Sequence, residues 1–193
     1  MKEAILRKVR ESTGVKEQFF LAEAGRIEAL VQAMASRFQQ GGRLYVMGNG
    51  GGATDAQHVS VEFVHPILEK RKPLPAVALT TDQALLTAIS NDRDFAKVFA
   101  EQLRVLARAG DMVMAISTSG KSPNIVQALE VARDLGLLTI ALTGKDGGRL
   151  VDLADHCFVV PSFSIHRIQE THVTLYHIVW DLVHVVLGED DVI

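Results

Sequence analysis

Residues 112–123 read MVMAISTSGKSP, and this stretch decides the class of fold. Its first five residues are apolar without alternation, which is typical of a strand buried on both faces of a parallel sheet. Hydroxyl-bearing residues and a glycine follow, and a proline then marks the start of a helix. The stretch therefore predicts a strand, a tight turn and a helix, which is the repeating unit of an α/β fold.

The same pattern continues on both sides of this unit. Further β-rich runs lie at 44–47, 76–79, 138–142 and 157–160, and helical patterns lie at 53–64, within 83–109, at 124–135 and from about 165 to 187. Alternating strands and helices predict right-handed βαβ units around a parallel sheet. Residues 2–39 form an additional helical stretch before the first strand. We expect residues 1–40 to serve in packing against another subunit, and residues 41–193 to form the α/β core of a single domain.

Composition narrows the class of partner. The chain has 193 residues, a formal net charge of -3 and no basic block, which disfavours nucleic acid as the main ligand. The run 70–72 and the acidic end 189–191 are interpreted as solvated segments. The single cysteine, Cys157, excludes an intrachain disulfide and favours a reduced, cytoplasmic compartment. No apolar run approaches the ~20 residues that span a bilayer, so we expect no membrane contact.

The turn after residue 116 predicts a phosphate site. Ser122 is placed as the N-cap and Pro123 as the first helical residue, so free backbone N–H groups and the positive end of the helix dipole face the turn. Four hydroxyls add donors, and they belong to Ser117, Thr118, Ser119 and Ser122. An ordinary capped turn is the alternative, but capping does not require four hydroxyls in six residues.

The glycine-rich turn at 48–53 follows the first strand. It matches a dinucleotide-binding fingerprint only weakly, because the fingerprint requires an acidic residue at the end of the next strand about 20 positions later, whereas that distance falls near the 70–72 loop and the next strand ends at 79–81. We expect instead a turn whose backbone amides at Gly50 and Gly51, together with Asn49, approach a sugar.

Two polar pairs predict metal binding or proton transfer. His58 and Glu62 are four apart and share one face of a helix. Gln169 and His177 lie on the last helix, where eight residues span roughly 12 Å and leave the two about 80° apart. Either the two side chains lean toward each other, or one site draws on two subunits. We interpret His184 as a partly exposed helix residue, and His172 and His166 as residues behind the site or on the surface.

These motifs together resemble the sugar isomerase (SIS) domain family and, within it, the phosphoheptose isomerases. The matching segments cover nearly the whole chain and read GNGGGATDAQHVSVE at 48–62, LTAISND at 86–92, AISTSGKSPNI at 115–125, ALTGKDGGRL at 141–150 and RIQETHVTLYHIVWDLV at 167–183. The resemblance implies a flavodoxin-like, three-layer, doubly wound parallel sheet. It also implies a homotetramer with active sites at subunit interfaces.

The resemblance further implies a reaction and its residues. The family converts sedoheptulose 7-phosphate to D-glycero-D-manno-heptose 7-phosphate, the first step toward nucleotide-activated heptose. It implies one zinc ion per subunit, held by His58, Glu62, Gln169 and His177. Glu62 matches the catalytic base and His177 the acid. The positions that match substrate contacts are Asn49, Gly50, Gly51, Asp92, Ser117, Thr118, Ser119, Ser122 and Gln169.

Three residues depart from the family pattern, namely Gly52 in place of a serine, Pro66 in place of an arginine found in some members, and His166 in place of an aspartate or threonine. An isomerase of a different ketose phosphate is therefore an alternative. A second alternative is a non-catalytic relative that binds the replication initiator protein, but that branch lacks the groups that match Glu62 and His177.

Overall fold

The central sheet has five parallel strands in the order β2-β1-β3-β4-β5. The computed structural model describes residues 1–67 and 71–191. The strands are β1 (Leu44–Gly48), β2 (Ala76–Ala78), β3 (Met112–Ser117), β4 (Leu138–Gly144) and β5 (His156–Val160). This is the flavodoxin-like strand order. The predicted doubly wound parallel sheet is therefore confirmed.

Helices cover both faces of the sheet, as the apolar strands require. They are α1 (Lys2–Gln39), α2 (Gly51–Val64), α3 (Gln83–Asp92), α4 (Val98–Leu106), α5 (Pro123–Asp134), α6 (Leu150–Leu153) and α7 (Ile165–Val186), with a 3₁₀ turn at Phe95–Lys97. In β3, Met112, Met114 and Ile116 pack against α1, α2 and α7. Val113 and Ala115 of the same strand pack in the opposite layer with α4 and α5. The three layers follow from this alternation.

Helix α1 is much longer than the core it covers. At 1.5 Å per residue its 38 residues span about 57 Å. All seven of its buried side chains lie from Phe19 onward, on the half that packs against the sheet layer and α7. The first ten residues of the chain are exposed except for the partly buried Ala4. In the described part of the chain, no helix combines the length and apolar character needed to cross a membrane.

Two segments interpreted as solvated are instead part of the packed structure. Arg71 is buried and forms an ion pair with Asp181, whereas residue 70 lies outside the described residues. Glu189, in the acidic end, accepts hydrogen bonds from the Lys72 backbone at 3.1 Å and from His184 Nδ1 at 3.0 Å. His184 is fully buried, so the expectation of a partly exposed residue is wrong. Buried charged groups need partners, and α7 supplies them through Asp181 for Arg71 and His184 for Glu189.

Candidate active site

A crevice opens at the carboxyl ends of β1 and β3. The helix after β1 runs along one face of the sheet and the helix after β3 along the other, and ligands of open α/β sheets bind at such switch points. A pocket of about 120 Å³ occupies the crevice. Its walls are formed by Asn49, Gly52, Asp55, Ile116, Ser117, Thr118, Ser119, Ser122 and Gln169.

The serine-rich turn forms one wall of this pocket. Ser122 occupies the N-cap position of α5 and Pro123 begins the helix, as the sequence predicts. The Ser122 side chain makes no capping hydrogen bond, so its hydroxyl is not consumed by the helix it precedes. The four hydroxyl-bearing residues of the turn therefore line one small pocket beside the N-terminus of α5, and this environment suits a phosphate group.

A second loop braces the serine-rich turn from outside. Gly120 has a φ of 61°, and a side chain there would collide with the backbone of Gly147. The Arg149 N–H donates to the Gly120 carbonyl at 2.9 Å. Lys121 forms an exposed ion pair with Asp146 at 2.7 Å, so its charge is directed to this loop. The turn is thus held in one shape by residues 144–149.

The glycine-rich turn forms the opposite wall. Gly50 has a φ of 54° and caps α2, where a side chain would be strained. Gly51 lies directly against the side-chain amide of Gln169. A Cβ atom at Gly52 would approach the Ile116 carbonyl oxygen to 2.7 Å, so α2 and β3 are spaced for a glycine. The close packing of α2 against β3 therefore requires glycine at position 52, where the family pattern has serine.

The two walls are tied together by an amide pair. Asn49 and Asn124 exchange two hydrogen bonds of 2.9 Å through their side chains. Asn124 is buried, and its oxygen also accepts the Ile125 N–H at 3.0 Å. The pair fixes the glycine turn relative to the first turn of α5, and so it sets the width of the pocket.

A second group of polar side chains lies on α2 and α7. His58 Nε2 is 3.2 Å from Glu62 Oε1 and 3.3 Å from His177 Nε2. One ligand atom from each of these three residues lies within 4.8 Å of the others. Tyr176 binds the other ring nitrogen of His58, with 2.9 Å between its hydroxyl and Nδ1. That contact leaves Nε2 directed at Glu62 and His177.

Burial and neighbouring charges tune two of the acid–base groups. Burial lowers the pKa of His177, the nearby His58 lowers it further, and Glu62 opposes both effects. His177 is therefore largely neutral at physiological pH and able to accept a proton. Burial raises the pKa of Asp55, an effect that His58 opposes.

The structure brings most of the predicted residues together in one subunit, with two exceptions. The first is Gln169 as a metal ligand, because it lies in the wall of the pocket beside Gly51, two turns of α7 before His177. Asp92 ends α3 on the exposed surface, where its carboxylate accepts a hydrogen bond from Asn91, and it is not among the residues that line the pocket.

Sequence reasoning missed three residues at this site. Asp55 was detectable, because it lies three residues before His58 on the same helix face. Asn124 and Tyr176 carried no comparable signal, since their partners Asn49 and His58 are 75 and 118 residues away. His172 is fully buried, and its Nε2–H donates to the Thr143 carbonyl at 3.0 Å. It therefore lies behind the site, which is one of the two locations expected for it. His166 is exposed on the surface, which is the other.

Known proteins are similar to this chain in both sequence and fold. The model of the SIS domain family matches residues 9–144, which is more than half of the chain. The chain therefore belongs to the SIS domain family.

Its relatives define a narrower group. The chain is 46% identical over 189 residues to a phosphoheptose isomerase of Thermodesulfovibrio yellowstonii, covering 98% of this chain and 94% of that protein. It is 44% identical over 186 residues to one of Roseiflexus, covering 96% and 94%. The solved phosphoheptose isomerase of Neisseria gonorrhoeae superimposes with a TM-score of 0.88 at 37% identity, covering 94% of this chain and 97% of that one.

Proposed function

We propose that this protein is an isomerase that converts sedoheptulose 7-phosphate to D-glycero-D-manno-heptose 7-phosphate, the first step toward nucleotide-activated heptose. The observation that carries the proposal is the position of the serine-lined pocket, which shares helices α2 and α7 with the group of His58, Glu62 and His177. Relatives named phosphoheptose isomerase that match almost the whole chain support it.

In this proposal the pocket between β1 and β3 holds the phosphate. The hydroxyls of Ser117, Thr118, Ser119 and Ser122 donate to its oxygens, and the N-terminus of α5 supplies a favourable dipole. The sugar chain then extends from the phosphate along the α2 wall toward Glu62, with Asn49, the backbone at Gly50 and Gly51, and Gln169 beside it. Anchoring one end of a flexible substrate raises the effective concentration of the reacting carbons at the base.

Glu62 and His177 carry the proton transfers. Interconversion of a ketose and an aldose moves a proton between two adjacent carbons through an enediolate, and the Glu62 carboxylate takes and returns that proton. The proton that moves between the two oxygens passes through the imidazole of His177, whose lowered pKa keeps it neutral and able to accept. Both groups are partly buried, so bulk water competes less for the protons.

The donor set on α2 and α7 fits a zinc ion. Two imidazoles and one carboxylate, His58, His177 and Glu62, form a ligand set used by catalytic zinc, and the Tyr176 hydroxyl orients His58 in the manner of an outer ligand contact. Gln169 is the fourth ligand in this proposal, and because it lies two turns from His177 on α7, it would reach the ion either by leaning toward His177 or from a second subunit. A zinc ion bound there would stabilise negative charge on the enediolate oxygens. Because a side chain bound to zinc is a poorer base, Glu62 and His177 would alternate between the ligand role and the proton-transfer role.

We also propose that the protein is a cytoplasmic homotetramer. An apolar groove of about 470 Å³ runs between α1 and α7 and is lined by Phe20, Ala24, Ile27, Glu28, Val31, Gln32, Ile178, Leu182, Val185 and Val186. Together with the exposed first turns of α1, this groove supports packing through residues 1–40. Because Asp92 lies outside the pocket of its own subunit, its proposed sugar contact would be made in the site of a neighbour.

The test is a turnover assay with sedoheptulose 7-phosphate, with and without added Zn²⁺, that follows the aldose product. We expect turnover by the wild type and a loss of at least about a hundredfold in kcat for Glu62→Gln, which removes the base. Asp134→Asn, at the exposed C-terminal end of α5, is the matched control and should retain activity.

Two outcomes would contradict the proposal in different ways. Wild-type activity in Glu62→Gln would rule out Glu62 as the base. If the wild type does not convert sedoheptulose 7-phosphate but isomerises another ketose phosphate, the proposed mechanism stands and the proposed substrate is wrong. Gly52, in the pocket wall, would then be the first residue to test by substitution.

A further inference from the structure

A buried arginine, Arg71, contacts the tryptophan that is hydrogen-bonded to Glu62. The Arg71 side chain is 2% exposed and forms an ion pair with Asp181 of α7. Its guanidinium also stacks on the ring of Trp180, 4.5 Å from the ring centroid. Within the described residues, Nε and Nη1 of Arg71 have no hydrogen-bond partner. A buried ion pair with unsatisfied nitrogens is a poor source of net stability, and it suits a residue whose role is to position its neighbours.

Trp180 connects this arginine to the proposed base. Its indole N–H donates to the backbone carbonyl of Glu62 at 2.8 Å. Glu62 lies in the last turn of α2, where carbonyls lose their helical partners. The residue four positions later is Pro66, which has no N–H to offer.

The neighbouring carbonyls of the same turn have backbone partners. The Val61 carbonyl accepts the N–H of His65 at 2.8 Å, and the Phe63 carbonyl accepts the N–H of Leu74 at 2.7 Å. The Glu62 carbonyl instead depends on a side chain from another helix. The position of the base therefore depends on the orientation of one indole ring.

We propose that Trp180, clamped by Arg71 and Asp181, is a positioning residue for Glu62 that replaces the hydrogen bond removed by Pro66. The clamp acts in two ways, because the guanidinium covers the ring face while the ion pair fixes the adjacent position of α7. This inference rests on the proposed role of Glu62 as the base. It predicts a specific kinetic defect, since the serine-rich turn that would hold the phosphate follows β3, and neither Trp180 nor Arg71 lines its pocket.

Trp180→Phe is the decisive variant, because it retains a ring for Arg71 and removes only the N–H donor. We expect kcat to fall about tenfold, while KM for the ketose phosphate stays within about twofold, because a small displacement of a base slows the chemical step without weakening remote binding. Tyr45→Phe is the matched control. It removes a hydroxyl that donates to the Leu106 carbonyl at 2.9 Å, at the opposite end of β1, and should leave kcat unchanged.

The clamp is tested by removing both members of the ion pair. Arg71→Met combined with Asp181→Leu leaves no unpaired buried charge, so the double variant should fold with stability near that of the wild type. We expect its kcat to fall as in Trp180→Phe. A double variant with wild-type stability and wild-type kcat would overturn the role of Arg71.

Hydrogen exchange supplies a measurement that needs no substrate. Peptides covering residues 59–67 should exchange faster in Trp180→Phe than in the wild type, and those from α5 should not change. Unchanged exchange at the end of α2, or an unchanged kcat in an active enzyme, would overturn the inference. Absence of turnover by the wild type would contradict the proposed function, and the exchange measurement would still decide whether Trp180 holds the Glu62 turn.

Discussion

Replacing His172 with glutamine should remove a large part of the acid sensitivity of the fold. His172 is fully buried on α7, and its Nε2–H donates to the Thr143 carbonyl at 3.0 Å. Burial lowers its pKa to about 4, against an ordinary value of 6.5, although the bond to Thr143 opposes the shift. Glutamine keeps an N–H donor at the same reach and cannot be protonated in this range.

The direction and size of the effect follow from these two values. As the pH falls, the unfolded chain protonates His172 near pH 6.5, whereas the folded protein does so only near pH 4. The unfolded state therefore binds more protons within this window, and stability is lost as the pH falls through it. Since each pKa unit corresponds to about 1.4 kcal/mol, the contribution lost is about 3 kcal/mol.

The assay is denaturant unfolding at several pH values between about 7.5 and 4.5, at one fixed protein concentration because the protein is proposed to be an oligomer. His156, His177 and His184 also have lowered pKa values, so the wild type should lose more than the contribution of His172 alone. The difference between wild type and His172→Gln isolates the one residue.

His166→Gln, at an exposed position of the same helix, is the control and should follow the wild type. Equal losses of unfolding free energy in wild type and His172→Gln across this window would refute the reasoning. That result would mean that the folded protein admits a charge at His172 without cost.

Further predictions concern the phosphate wall and the assembly. Ser119→Ala should raise KM for the phosphorylated ketose about tenfold and leave kcat nearly unchanged, because it removes one hydrogen bond to a charged group; an unchanged KM would contradict phosphate binding at this turn. Ile178→Glu places a charge in the groove between α1 and α7 and should reduce the mass measured by light scattering below that of a tetramer. Val105→Glu, at a side chain that is 82% exposed on α4, should retain the tetramer, and an intact tetramer in Ile178→Glu would exclude the groove as the interface.

Several features of the fold could be predicted because their causes are local. The apolar run of β3, the proline after Ser122 and the glycines after β1 set strand, turn and helix through their own backbone preferences. The location of the site followed from the same units, since turns at the carboxyl ends of parallel strands meet at one edge.

The errors arose where a residue's environment depends on distant chain segments. Arg71 reads as part of a basic loop, and nothing adjacent in sequence indicates that Asp181 and Trp180 enclose it. The sequence predicts a partly exposed His184 and a solvated Glu189, although the contact between the two side chains lets His184 be buried and Glu189 be partly buried. A polar residue on a helix face gives no local sign of whether its partner will reach it.

The sequence by itself determined the α/β class, the serine-rich and glycine-rich turns, and the pairing of His58 with Glu62, because these depend on period and spacing within about 20 residues. Only the tertiary structure decided that His177 joins this pair, that Asn49 meets Asn124, and that the indole of Trp180 takes the place of the N–H absent at Pro66. The physical reason is that these contacts depend on how α2, α5 and α7 pack across the sheet. The direction and depth of that packing are set by the whole core.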